Sequence, residues 1–329
     1  MLIKTSHGLL IADSLLVIAL LGACVTGHAQ QFPTKPVRYV VAFAAGDSPD
    51  IVARLAGDRL TRIWDQQVLV ENRVGAGGTI AGAFVAKAPP DGYTLLHCNI
   101  ATNAIALALY NKLPYDGIKD FAPVTRMGTT SNVILLHPSM PTKTVAQFVD
   151  YARANPGKLS YGHGGVGASP HLSMELFKNM AKLNLVHVAY KGASPSIADL
   201  IGGQIPVAIA NLPATIPHIL SGKVHALGVT AEKRVPQVPN VPTMVESGYK
   251  GYVVYAWYGM CAPAGTPQPV LEKLHADTLR VMNSADVKQR LNDLVIDVAT
   301  QSREEYSAFM RAEASRWAGV VKDAGIPPQ

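Results

Sequence analysis

Residues 37–49 read VRYVVAFAAGDSP, an apolar run followed by a glycine turn and then by Ser-Pro at the start of a helical pattern. Gly-X-Ser-Pro recurs at 167–170 and 192–195, each time between a β-like run and a helix-like run. Serine is a favoured N-cap, and proline suits the first helical position. The unpaired N–H groups of such a helix start attract anions. These turns are therefore either ordinary connections or anion-binding turns.

Strand-like and helix-like segments alternate along the rest of the chain. The first series is Val37–Phe43, Ile51–Trp64, Val68–Glu71, Ile80–Ala88 and Tyr93–Cys98. This βαβαβ order predicts an α/β fold with a parallel sheet and right-handed crossovers.

A second α/β series is predicted from the strand Val133–His137 to about residue 230, and helices follow the strand Val253–Cys261. The length suits two α/β lobes, predicted as residues 30–131 plus 254–329 and residues 132–253. Two crossover strands near residues 130 and 254 would join the lobes. Ligands of such folds bind at the carboxyl ends of strands, so we expect a cleft between the lobes.

Residues 1–29 are predicted to be a signal peptide. Lys4 supplies the positive charge, and Leu15–Ala23 is a short apolar run followed by small residues. Cleavage after Ala29 would give a soluble periplasmic protein. The alternative is a lipobox, which would leave Cys24 lipidated.

The bulk properties exclude several classes of partner. The formal net charge of +6 is spread along the chain without a basic block, which argues against nucleic-acid binding. The glycine loop at 75–78 lacks the remaining glycine of a dinucleotide site and the Lys-Ser/Thr ending of a phosphate loop. His163 and His171 match no metal-ligand spacing, so we expect neither a metal nor a cofactor. Cys98 and Cys261 could pair or remain buried thiols.

Several motifs in order resemble the Bug family of periplasmic solute receptors of tripartite tricarboxylate transporters. They are ENRVGAGG at 71–78, PPDGYTL at 89–95, VAYKG at 188–192 and PNVPT at 239–243. The resemblance covers the whole mature chain. It implies a type II periplasmic-binding-protein fold, with two lobes that close on a small carboxylate held by backbone amides, hydroxyls and water. It also implies delivery to membrane permease subunits.

The chain departs from the family pattern in two loops. The family's first loop commonly reads Pro-Gly-Gly where this chain has Ala45-Gly46-Asp47, and its second commonly has serines where this chain has His163 and Ala168. A carboxylate beside a carboxylate site repels the ligand, so Asp47 is expected either to face solvent or to pair with an amine, amide or hydroxyl of the ligand. If His163 contacts an anionic ligand, affinity should rise as pH falls from about 7.5 to about 5.5.

The candidate ligand-binding residues lie in the glycine turns and at strand ends that face the predicted cleft. Capping of local backbone is the alternative role for the polar ones. The set is Ala44, Ala45, Gly46, Asp47, Ser48, Gly78, Thr79, Asn99, Ser131, His163, Gly165, Gly167, Ser169, His171 and Asn211.

The expected function is that of a monomeric receptor without catalytic activity. Alternatives are a receptor that presents ligand to a membrane sensor, and an exported hydrolase that uses Ser169 with His163 or His171. The turn at 167–170 does not have the sequence of a nucleophile elbow. The third Gly-X-Ser-Pro copy is expected to be chiefly structural, and Tyr258 is expected to pack at a hinge.

Overall fold

The structure, a computed structural model, describes residues 32–323 and 325–326. The predicted signal peptide and Cys24 lie outside the described residues. Within the described part of the chain, no helix combines the length and the apolar character that crossing a membrane requires.

The strands follow the predicted order. They are β1 (Val37–Val41), β2 (Val68–Asn72), β3 (Thr94–Asn99), β4 (Phe121–Leu136), β5 (Ser160–His163), β6 (Val186–Ala189), β7 (Val207–Asn211), β8 (His225–Val229), β9 (Tyr255–Pro263) and β10 (Asp297–Val298).

The α-helices alternate with these strands. They are α1 (Ser48–Trp64), α2 (Thr79–Ala86), α3 (Ala106–Leu109), α4 (Val145–Ala154), α5 (Ser169–Ala181), α6 (Ala193–Ile201), α7 (Ile216–Leu220), α8 (Gln268–Met282), α9 (Ala285–Asp293) and α10 (Arg303–Asp323). A π-helical turn, Ala101–Ile105, precedes α3.

The strands form one continuous path in the order β2-β1-β3-β9-β4-β7-β5-β6, and β8 and β10 also pair with β4. β1 lies parallel to β2 and β3, which confirms the predicted βαβαβ unit. β5 lies parallel to β6 and β7. β9 is antiparallel to β3 and β4, and β4 is long enough to pair with β9 in its first part and with β7 and β8 in its last part.

Apolar side chains bury the two sides of this path in separate clusters. One cluster packs Val40 and Leu96 with the aromatic residues of β9 and α10, including Trp257 and Trp317. Another packs around Ile134 with residues of α4, β5 and α5. Because β4 contributes to both sides of the path, it positions the turns that follow β1, β5 and β6 relative to one another.

The serines of the first two Gly-X-Ser-Pro turns are not N-caps, contrary to the sequence prediction. Asp47 and Ala168 are the N-cap residues, so Ser48 and Ser169 are the first residues of α1 and α5. In the third turn Gly192 is the N-cap. The shift of one residue matters because the Ser48 and Ser169 hydroxyls are not used as caps.

Cys98 of β3 and Cys261 of β9 form a disulfide, and their Cα atoms are 5.9 Å apart. Both residues are fully buried. The pairing that the sequence left open joins two neighbouring strands at positions on the same face of the sheet.

Candidate functional site

A cavity of about 40 Å³, called the first cavity below, lies where the three Gly-X-Ser-Pro turns meet. Asp47 and Ser48 come from the first turn, Ala168 and Ser169 from the second, and Ala193 from the third. Three helix starts therefore face one space, and their unpaired N–H groups and positive dipole ends favour a negative ligand there.

Two hydroxyl groups in the first cavity have no hydrogen-bond partner among the described residues. They are Ser48 Oγ and Tyr258 OH, and each residue is only 2% exposed. Burial raises the pKa of Tyr258, and the neighbouring Ser48 hydroxyl opposes that effect. Buried polar groups nearly always have partners, so two unpaired hydroxyls in one cavity indicate a site that a ligand completes.

The Asp47 carboxyl is buried, with 7% of the residue exposed, so the expectation that it faces solvent is wrong. Its Oδ1 accepts a hydrogen bond from the Ala193 N–H at 3.4 Å, at the start of α6. Burial raises the pKa of Asp47 to about 6, and the charge of Asp50 adds to this while hydrogen bonds from Ala193 and Ala44 oppose it.

Asp50 organises the first turn from inside α1. Its carboxyl accepts hydrogen bonds from Gly46 N at 2.9 Å, from Arg54 Nε at 2.9 Å and from Asn72 Nδ2 at 2.8 Å. Burial acts to raise the pKa of Asp50, but these bonds outweigh it and hold the pKa below its usual value. The Gly46 amide, predicted to face the ligand, is thus bonded to Asp50.

A buried amide network fixes the opposite wall. Asn132 Nδ2 donates to Ser169 Oγ at 3.0 Å and to Ser173 Oγ at 2.7 Å, and Asn211 Nδ2 donates to Asn132 Oδ1 at 2.7 Å. Ser169 and Asn211 line the first cavity, as does Asn99. Asn99 Oδ1 accepts the N–H groups of residues 101 and 102, so this side chain also caps the π-helical turn.

His163 and His171 stand behind the second turn and do not line the first cavity. His171 Nδ1 accepts the Gly167 N–H at 3.3 Å, and His163 Nδ1 lies 3.0 Å from the Gly165 carbonyl. Burial, reinforced by neighbouring histidines, lowers the pKa of each to about 3. Both rings are therefore neutral from pH 5.5 to 7.5, and the structure does not support the pH dependence expected of His163.

A second cavity of about 510 Å³ adjoins the first and shares Phe43 and Gly164 with it. The predicted residues Gly78 and Gly165 line this cavity, together with Lys191. A Cβ at neighbouring Gly77 would lie 2.5 Å from the Val166 carbonyl oxygen, and Gly77 has a φ of +61°. Only glycine permits this close approach of the two glycine loops.

The structure brings part of the predicted set together. Asp47, Ser48, Asn99, Ser169 and Asn211 line the first cavity, and Gly78 and Gly165 line the second. Ser131 lines a different cavity, beside Tyr255 and Asn292. The remaining predicted residues line neither the first nor the second cavity: Ala44, Ala45, Gly46, Thr79, His163, Gly167 and His171.

Sequence reasoning missed Phe43, Ala193, Ala256 and Tyr258, all of which line the first cavity. Ala193 carries a detectable signal, since it belongs to the third Gly-X-Ser-Pro copy that was expected to be chiefly structural. Tyr258 and Ala256 carry none, because only the pairing of β9 between β3 and β4 places them at the cavity.

Comparison with known proteins gives consistent matches over nearly the whole chain. A sequence model described as the tripartite tricarboxylate transporter family receptor, TctC, matches residues 52–326. Protein BugT of Bordetella pertussis (strain Tohama I) is 32% identical over 309 residues, which cover 94% of this chain and 95% of BugT.

Solved structures agree with this match. Rpa4515 of R. palustris with adipate has a TM-score of 0.87 and 35% identity, covering 91% of this chain and 100% of that chain. MatC from Rhodopseudomonas palustris with bound malate has a TM-score of 0.84 and 35% identity, covering 88% of this chain and 100% of that chain. The predicted periplasmic-binding-protein fold is confirmed.

The family is one of receptors and not of enzymes, which confirms the expectation that the chain has no catalytic role. With the model match, the BugT similarity and the shared fold together, the chain belongs to the tripartite tricarboxylate transporter receptor family.

Proposed function

We propose that the protein is a periplasmic receptor that binds a small carboxylate in the first cavity and delivers it to a membrane transporter. The observation that carries this proposal is the pair of unpartnered hydroxyls, Ser48 Oγ and Tyr258 OH, at the meeting point of three helix starts. A carboxylate accepts several hydrogen bonds at once, so one ligand oxygen atom can use both donors.

The relatives support the ligand class. Adipate and malate, which occupy related structures, are both dicarboxylates of small size. In this chain the larger second cavity adjoins the first, and Lys191 lies on its wall. We propose that one carboxylate sits in the first cavity and that the rest of the ligand extends toward the second.

We propose further that residues 30–131 plus 254–329 and residues 132–253 act as two lobes that close on the ligand. The hydrogen bond from Ala193 to Asp47 supports this, because it joins the first turn to the third across the first cavity. The predicted export signal supports a periplasmic location for the protein.

The direct test is a thermal-shift screen over mono-, di- and tricarboxylates, amino acids and aromatic acids. A ligand at about 100 times its Kd adds about 2.7 kcal/mol to stability, which is readily seen as a higher Tm. A screen in which no carboxylate raises the Tm would contradict the proposal. Delivery is tested separately, by uptake of the ligand into vesicles that carry the transporter, with and without the receptor.

Variants of the unpartnered hydroxyls test the site itself. Ser48→Ala and Tyr258→Phe should each weaken carboxylate binding about 10- to 100-fold, because a hydrogen bond to a charged group contributes about 1.5–3 kcal/mol. Their unliganded Tm should change little, since neither hydroxyl has a partner to lose. Isothermal titration calorimetry measures the affinity.

Ser196→Ala is the matched control for these variants. Ser196 is also a buried serine near a helix start, and its Oγ also has no partner, but it lines neither the first nor the second cavity. Affinity that falls equally in Ser196→Ala and Ser48→Ala would show a general packing effect and would move the site elsewhere.

A further inference from the structure

Three histidines from three different elements meet behind the second Gly-X-Ser-Pro turn. His163 ends β5, His187 lies on the neighbouring strand β6, and His171 lies in the first turn of α5. Tyr161 of β5 is in register with His187, so His163, two residues further on, points to the same face of the sheet as His187.

The imidazole rings are close enough to share one ion. Ring centroids are 4.4 Å apart for His163 and His171, 5.5 Å for His163 and His187, and 5.3 Å for His171 and His187. One nitrogen from each ring lies within 4.8 Å of one from each other ring. The sequence could not show this cluster, because His187 joins it only through the pairing of β5 with β6.

The shortest of these contacts has the spacing of two ligands on one metal. His163 Nε2 lies 3.3 Å from His187 Nδ1. Nitrogen ligands at about 2.0–2.1 Å from a tetrahedral ion are about 3.3–3.4 Å from each other. Closing the contact to His171 needs a small movement of that ring.

The surroundings of His163 suit a metal ligand. Its Nδ1 lies 3.0 Å from the Gly165 carbonyl and 3.2 Å from the Gly165 N–H, so either ring tautomer has a partner. The tautomer that donates to the carbonyl leaves the Nε2 lone pair directed toward His187. Metal-bound histidines usually donate their other ring N–H to such an acceptor.

His171 couples this cluster to the second turn. Its Nδ1 now accepts the Gly167 N–H. Binding of a metal through either ring nitrogen removes that hydrogen bond, because Nδ1 would then hold either the metal or the ring proton. This loss opposes metal binding, so we expect a Kd in the micromolar range rather than below it.

The charges around the cluster nearly cancel. Glu175 and Lys178 both act on the buried histidines, and they form an ion pair with each other at 2.7 Å. His187 is exposed, which provides an entry path and leaves one coordination position open to water.

We propose that His163, His171 and His187 form a binding site for a divalent transition metal such as Zn²⁺ or Co²⁺. Three imidazoles favour these ions over Mg²⁺ and Ca²⁺, which prefer oxygen ligands. The site is separate from the first cavity, since none of its three residues lines it.

The test uses the purified protein, prepared without a polyhistidine tag and freed of metal with a chelator. Zn²⁺ is titrated by calorimetry, and Co²⁺ by the visible absorption of a tetrahedral complex. We expect one ion per chain and no binding of Mg²⁺ at the same concentration. His187→Ala should weaken Zn²⁺ binding at least tenfold, because loss of even an outer partner of a metal ligand costs 10- to 100-fold.

The choice of variants keeps the result interpretable. His187 is exposed, so its replacement should leave the fold intact, which the unliganded Tm checks. His218→Ala is the matched control, because it removes a histidine that lies in α7 and outside the cluster. Zn²⁺ or Co²⁺ binding that is absent from the wild type, unchanged in His187→Ala, or equally weakened in His218→Ala would overturn the proposal.

Discussion

The Asp47 carboxyl occupies a position that the sequence assigned to a ligand anion. It lies at the start of α1, lines the first cavity, and accepts the Ala193 N–H at the start of α6. The third Gly-X-Ser-Pro turn therefore binds an anion, but the anion belongs to this protein. A Cβ at Gly192 would lie 3.3 Å from Asp47 Oδ2, so the turn and the carboxylate fit closely.

Asp47 should make carboxylate binding depend on pH. Its pKa is raised to about 6, mainly by burial, so the group is charged at pH 7.5 and neutral near pH 5. A charged Asp47 repels a carboxylate in the same cavity. We expect Asp47→Asn to bind a dicarboxylate about tenfold more tightly than the wild type at pH 7.5, a difference of about 1.4 kcal/mol, and equally at pH 5.

Calorimetry at the two pH values measures this ratio, and protonation of the ligand cancels because both proteins meet the same ligand. A ratio that does not change with pH would contradict the role of Asp47. Asp47→Gly and an amino-bearing ligand form the second arm. If Asp47 pairs with the amine, this variant weakens the amino-bearing ligand while it spares or strengthens the plain dicarboxylate.

The same shift in pKa has a consequence for stability. The pKa of Asp47 is raised in the folded state, so its contribution is most favourable below about pH 4 and is lost as pH rises through about 6. His163 and His171 do not confuse this range, since their pKa values of about 3 keep both rings neutral throughout it.

At the scale of elements, β9 and α10 are joined by one buried carboxylate. Glu313 of α10 accepts Trp257 Nε1 at 3.0 Å and Trp317 Nε1 at 3.2 Å. The Trp257 ring also contacts Tyr306 and Phe309 edge to face. These contacts hold α10 against the strand that carries Tyr258 into the first cavity, so Trp257 has the packing role expected of it.

Replacement of Glu313 should show how strongly this joint stabilises the fold. Glu313→Leu leaves two buried indole N–H groups without an acceptor, and each costs about 1–3 kcal/mol. We expect the free energy of unfolding to fall by about 2–4 kcal/mol. Urea denaturation measures it, and Glu313→Gln, which keeps an acceptor oxygen, should lose clearly less. Equal losses in the two variants would show that the charge, and not the acceptor, matters.

The elements themselves were predictable to different degrees. α10 was predicted with the bounds it has, because a long amphipathic pattern is a strong local signal. Only the end of β4 was predicted, since its first part carries polar residues. Thr125 and Thr130 of that part donate to the carbonyls of Gln301 and Val295, and these partners are about 170 residues away in the chain.

At the scale of the molecule, ligand binding should close the two proposed lobes. β4 and β9 are the strands that run between the two sides of the sheet path, so they are where a hinge would lie. We expect a saturating carboxylate to reduce the radius of gyration in small-angle X-ray scattering. The Ser48→Ala/Tyr258→Phe double variant should show no reduction at the same ligand concentration. A wild type that binds ligand without becoming more compact would contradict closure and leave binding intact.

The sequence by itself determined the alternation of strands and helices, the βαβαβ unit and the membership of a receptor family. These follow from local periodicity and from short motifs in order, which do not depend on distant partners. Tertiary structure alone decided that Ser48 and Tyr258 share a cavity, that Asp47 meets the third turn, and that His187 joins His163 and His171. Each of these pairings depends on strand register and on the packing of segments far apart in the chain, and no local pattern encodes that geometry.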